Sequence, residues 1–134
     1  MSRIVEVEGI GKVYAEKLNG IGIKTTTDLL EHCGTASGRE EMAEKTGISE
    51  KLLLEWVNLS DLFRIKGVGE QFSDLLEESG VDTVVELAQR NPENLYNKML
   101  EVNEEKNLVN RAPHLSEVKS WVEQAKSLPR MVEH

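Results

Sequence analysis

Glycine turns that open helices are the feature of this sequence with most to offer a ligand. Val7-Glu8-Gly9-Ile10-Gly11-Lys12-Val13-Tyr14 sets two glycines around one apolar residue, with a lysine next. Glycine reaches backbone angles closed to residues with a Cβ, so Gly9 and Gly11 suit a tight turn, and Ile10 can point inward from it. Tyr14, Ala15 and Leu18 then fall three or four apart, on one helical face. The first amides of such a helix have no acceptor inside it. With the positive end of the helix dipole they can hold an anion such as phosphate. Gly9, Ile10, Gly11 and Lys12 are therefore the candidate phosphate-binding residues. The competing reading is that the turn only packs two helices closely and that Lys12 is a solvated lysine.

The turn occurs twice. Ile65-Lys66-Gly67-Val68-Gly69-Glu70-Gln71-Phe72 repeats it at an offset of 58 residues, and the offset continues without gaps. Tyr14 matches Phe72, Leu18 matches Leu76, Gly22 matches Gly80, Ile23 matches Val81, Thr25 matches Thr83 and Leu29 matches Leu87. Such self-similarity marks a repeated structural unit. In the second copy Glu70 stands where Lys12 stands in the first, so Gly67, Val68 and Gly69 are read as structural. Later segments correspond with a changed spacing. Gly47-Ile48-Ser49 precedes Trp56-Val57, and Leu115-Ser116 precedes Trp121-Val122, with Pro113 where a second turn glycine would stand.

These turns are positioned by helices throughout. Residues 2–8 form a lead-in, and a first helix is expected from Gly11 to Asn19. Thr25 or Thr26 caps a second, through His32, with Asp28 in its first turn. Ser37 with Glu40 has capping-box spacing for a third, to Lys45. Ser49 caps a fourth, whose apolar face is Leu52, Leu53, Trp56, Leu59 and Phe63. The second copy repeats this with helices at Gly69–Ser79, from Thr83 to Gln89, from Asn91-Pro92 to Asn107, and from Leu115 or Ser116 to Pro129. The terminal Val132-Glu133-His134 reads as the start of a purification tag and is left out of the functional reading.

A Gly-apolar-Gly turn feeding a helix, with a small residue (Ala15, Ser73) four positions after the second glycine, resembles the helix-hairpin-helix motif. Each copy resembles the amino-terminal domain of RadA-type recombinases, which pairs such a hairpin with a later Gly-Ile-Ser hairpin. The whole chain resembles a bacterial family of unknown function with two such repeats, in which Gly-Ile-Ser, Glu-Trp-Val and Asn-Pro-Glu-Asn-Leu recur in this order. These resemblances imply an all-α fold of two tandem helix-hairpin-helix (SAM-like) units packed together. The first unit is residues 1–62. The second is residues 63–134, with its second hairpin degraded. The motif also implies hairpin amides that contact a nucleic-acid phosphate without reading sequence, and permits a monovalent cation at the hairpin carbonyls. Glu8 and Lys66 replace the proline usual before the first glycine, and a carboxylate at position 8 repels phosphate.

Composition argues against a nucleic-acid platform. The net charge is −8, and residues 1–62 and 63–134 each carry −4. Affinity for nucleic acid comes largely from lysines and arginines that neutralise phosphates. Locally, residues 1–24 carry +1 and residues 64–80 carry −2, which favours the first turn over the second. Cys33 is the only cysteine, so no internal disulfide forms, and a reducing cytoplasm fits. No apolar run is long enough to cross a bilayer.

No other residues compose a catalytic or metal site. Trp56 and Trp121 sit in apolar stripes and read as core anchors in preference to base-stacking platforms. His32, Cys33 and His114 lack metal-site spacing, and Glu101, Glu104 and Glu105 read as a solvated helix face. The expectation is a non-catalytic interaction module without cofactor, metal or small-molecule substrate, which binds another protein. The alternative is a weak, sequence-independent DNA or RNA binder acting through the first hairpin.

Overall fold

The computed structural model describes residues 2–134 and is all-α, with eight α-helices among those residues. A 3-10 turn at Ile4–Glu6 leads into α1 (Lys12–Asn19), α2 (Thr26–Cys33), α3 (Ala36–Thr46) and α4 (Glu50–Leu62). Then come α5 (Glu70–Glu78), α6 (Val84–Ala88), α7 (Pro92–Lys106) and α8 (Leu115–Lys126). A single antiparallel bridge, Arg3 with Thr25, ties the lead-in to the start of α2.

Side chains placed by local sequence start most helices. Thr25, Thr35, Ser49 and Asn91 each accept an amide of the following first turn. Pro92 follows Asn91 at the first helical position, where its missing N–H costs nothing. For α3 the sequence pointed to Ser37. The cap is Thr35, two residues earlier, whose Oγ accepts Gly38 N at 3.0 Å. Thr35-x-x-Gly38 lacks the acidic third residue that makes a capping box legible. At α8, Glu117 reaches back to the His114 amide at 2.9 Å and fixes the start at Leu115.

Buried apolar residues form two clusters. One joins Leu18, Ile23, Leu29, Leu53 and Trp56, and the other joins Leu75, Leu76, Leu87, Met99, Val118 and Trp121. α2 packs on α3 and α4; α8 packs on α6 and α7; α4 meets α5 between the clusters. Each tryptophan is 2% exposed, so truncating either to alanine costs about 3–5 kcal/mol.

The two glycine corners have the same geometry. Gly9 and Gly67 take φ of +92° and +94°, and Gly22 and Gly80 take +89° and +94°, in the region that disfavours side chains. Ile10 N donates to Val7 O at 3.0 Å, and Val68 N to Ile65 O at 3.1 Å. Tyr14 and Trp56 meet at 5.0 Å between ring centroids, tilted by 58°; Phe72 and Trp121 meet at 5.1 Å, tilted by 52°. Tilted contacts of this kind add stability beyond the area they bury.

The terminal segment belongs to the fold, which corrects its reading as a tag. Val132 is 1% exposed within the first cluster. Glu133 N donates to Gly34 O at 2.8 Å. Arg39 is buried, and its guanidinium donates to Cys33 O, Gly34 O and Glu133 O at 3.0, 3.1 and 2.6 Å. Two carbonyls at the negative end of α2 and one from the terminal segment thus serve a cation that has no carboxylate partner among the described residues. No local pattern marks this role, because the contact from Arg39 to Glu133 joins residues 94 positions apart.

Candidate functional site

The first corner places its four candidate residues unequally. Ile10 is buried, while Gly9, Gly11 and Lys12 face solvent. Gly11 is the N-cap of α1 and has no side chain to accept an amide, so the first turn of α1 lacks the cap that α2, α3 and α4 possess. Beside it opens a cleft of about 410 Å³ lined by Arg3, Val5, Lys12, Glu16 and Lys24. Three cations against one carboxylate make this cleft positive on an acidic chain. Lys24 N and Thr25 N both donate to Asp28 Oδ2, at 3.0 and 3.1 Å, closing the α2 start below it. The Lys24 amide above all holds the Asp28 carboxyl below its usual range.

Two apolar side chains lie open here. Among the described residues, Val13, 66% exposed, and Val5, 43% exposed, are the large hydrophobic residues left uncovered. Val5 lines the cleft, and Val13 follows Lys12, about 100° round the helix on its outer face.

At the second corner, Val68 is buried, and Gly67 and Gly69 face solvent. Both backbone polar groups of Lys66 are engaged by Gln124: Lys66 N donates to Oε1 at 2.9 Å, and Nε2 donates to Lys66 O at 3.2 Å. Glu70 begins α5. Arg111, paired with Glu117 at 2.9 Å, lies over the Phe72 ring at 5.7 Å. This corner is braced by its own side chains.

Cys33 lies in the first core, and burial pushes its thiol up to about 11. Its neighbour His32 faces solvent, as does His114 at the start of α8. Glu101, Glu104 and Glu105 are exposed on α7.

A second cleft, of about 310 Å³, was missed from sequence. It opens between α4 and α5 and is lined by Glu8, Glu55, Asp74, Glu77 and Glu78. Carboxylate oxygens of Asp74, Glu77 and Glu78 lie within 4.8 Å of one another. Burial, then the neighbouring acids, push Asp74 and Glu77 above the usual carboxylate range. The signal was present, since acids at i, i+3 and i+4 share a helix face. What places Glu8 and Glu55 opposite them is tertiary.

A family model described as a domain of unknown function, DUF4332, matches residues 8–128. The chain belongs to this family. The match begins at Glu8 and ends at Leu128, so it spans both pairs of corner glycines, the second cleft and all eight helices, and leaves Arg3, Ile4 and Val5 of the first cleft outside it. No curated protein and no solved structure matches the chain. Among the described residues no helix is long and apolar enough to cross a membrane.

Proposed function

We propose that the chain is a non-catalytic interaction module of two tandem helix-hairpin-helix units, residues 1–62 and 63–134, that binds a protein partner through its first corner. The observation that carries this reading is the exposure of Val5 and Val13 beside the Arg3, Lys12 and Lys24 cleft. Uncovered apolar side chains rimmed by charge suit a protein surface, because burying each is favourable by roughly 1.5–3 kcal/mol. The acidic balance of both halves supports a protein over a polyanion. The lone, buried Cys33 fits a reducing cytoplasm.

The test is capture of a stoichiometric partner from lysate by the full chain. A Val13→Asp variant of unchanged helicity should lose that partner. Equal capture by the variant would reject the first corner as the binding face.

The second reading is weak, sequence-independent binding of a DNA or RNA backbone by Gly9, Ile10, Gly11 and Lys12. It is favoured by the uncapped start of α1 beside three cations. Fluorescence anisotropy with a labelled duplex or single strand decides it. Binding in tens of millimolar salt that Lys12→Glu abolishes would replace the protein reading.

A further inference from the structure

The cleft at the first corner has a counterpart in the second unit, and the two differ in what stands over them. At the offset of 58 residues, Arg3, Val5, Glu16, Asn19 and Lys24 correspond to Asp61, Phe63, Asp74, Glu77 and Asp82. The backbones of the two lead-ins agree. Glu6 N donates to Arg3 O at 3.0 Å and Arg64 N to Asp61 O at 3.1 Å; Val7 N donates to Ile4 O at 3.0 Å and Ile65 N to Leu62 O at 3.1 Å. Yet the five residues of the first unit are exposed, whereas their counterparts are buried or half-buried.

A helix contributes to this difference. α4 carries Asp61 near its end and lies beside α5, so Asp74 and Glu77 look across a cleft at Leu52, Glu55 and Leu59. On α1, Glu16 and Asn19 border a cleft walled only by the lead-in and by Lys24 and Thr25. Among the described residues, this edge of the first unit lacks the helix that the second unit receives.

Charge says which helix fits. Arg3, Lys12 and Lys24 form no salt bridge among the described residues. Their counterparts are Asp61, Glu70 and Asp82, so the same backbone stands with the opposite charge and does not need these cations. We infer that the cleft receives an acidic amphipathic helix of a partner protein, laid against α1 as α4 is laid against α5. Its apolar side chains cover Val5 and reach Val13, and its carboxylates meet Arg3, Lys12 and Lys24. A nucleic-acid backbone uses the cations but leaves both valines wet, and the net charge of −8 opposes it. A second copy of this chain offers no matching helix. In α8 the positions that correspond to Leu52 and Leu59, counted from the tryptophan, are Glu117 and Gln124, already engaged by Arg111 and Lys66.

This inference rests on the protein-binding reading and names the partner's chemistry at that same corner. The full chain, labelled with nitrogen-15, is titrated in about 20 mM salt with a capped alanine-based helix of about 18 residues. The peptide carries leucines at the spacing of Leu52 and Leu59, with glutamates flanking them. The amides of Val5, Val13 and Lys24 should shift, while those of Phe63, Gln71 and Asp82 stay. Arg3→Glu with Lys24→Glu should raise Kd at least about tenfold. Lys51→Glu with Lys98→Glu, exposed on α4 and α7, should leave Kd unchanged. Peptides with lysine for glutamate, or serine for leucine, should bind more weakly. Equal affinity for either control peptide, equal Kd in the two double variants, or shifts spread over both units would overturn the inference. So would tighter binding of a DNA duplex at the same salt, or a dimer of the chain alone that Arg3→Glu with Lys24→Glu dissociates. Failure of the peptide while Val13→Asp still abolishes partner capture overturns the acidic helix alone; capture unaffected by Val13→Asp overturns the corner itself.

Discussion

Asp61, at the end of α4, accepts the amide of Val84 at the start of α6, 2.9 Å away. Its other oxygen pairs with Arg64 Nη1 at 2.8 Å. One buried carboxylate thus closes the short helix α6 from a helix 23 residues upstream and carries a cation besides. The sequence pointed to Thr83 as the cap; its side chain makes no capping bond. Asp61→Ala leaves Val84 N without that acceptor and Arg64 unpaired, and should cost about 3 kcal/mol in urea denaturation. A loss below about 0.5 kcal/mol would contradict this role.

Matched corners should respond alike. Gly9→Ala and Gly67→Ala each force a Cβ into positive φ and to within 3.1 and 3.2 Å of a tryptophan Nε1. Each should lower stability by about 1–2 kcal/mol. Gly11→Ala has φ of −81° and open space, so it should be near neutral. Thermal unfolding of the three variants distinguishes conformational glycines from incidental ones.

The terminal segment should guard the first core. At Gly34 an added Cβ would stand 2.5 Å from Met131 O, and Val132 fills the core beneath. Val132→Asp should release the segment. The Cys33 thiol, buried and pushed up to about 11, should then react with a thiol reagent at least about tenfold faster at neutral pH. An unchanged rate would mean that the segment does not cover the core.

The acidic cleft should cost stability at neutral pH. A carboxylate whose folded pKa is raised binds its proton more readily in the native state. Asp74 and Glu77 therefore add stability as pH falls through their folded values towards the unfolded ones. Asp28 and Glu117, held low by hydrogen bonds, act oppositely and lose stability as pH falls through their folded values. Asp74→Asn with Glu77→Gln should raise Tm at pH 7, and that gain should shrink towards pH 4. A gain independent of pH would remove the electrostatic explanation.

Much of the fold was legible because its causes are local. Glycines at a fixed offset, apolar residues three and four apart, and Thr25, Ser49 and Asn91 before their helices all act within one turn of chain. What escaped was tertiary: Arg39 held by carbonyls from two distant segments, Asp61 capping α6, and Glu8 and Glu55 facing the acids of α5. The four candidate residues of the first corner could be chosen from sequence. The burial of Ile10 agreed with its inward direction, whereas the exposure of Val13, inside an otherwise amphipathic segment, needed coordinates.

The central claim is that the first corner meets a protein. A photo-crosslinking residue at position 13 of the full chain, with a control at position 101 on α7, addresses it in lysate. The account predicts one protein adduct from position 13 and none from position 101. No adduct at position 13, or an adduct that nuclease rather than protease removes, would contradict it.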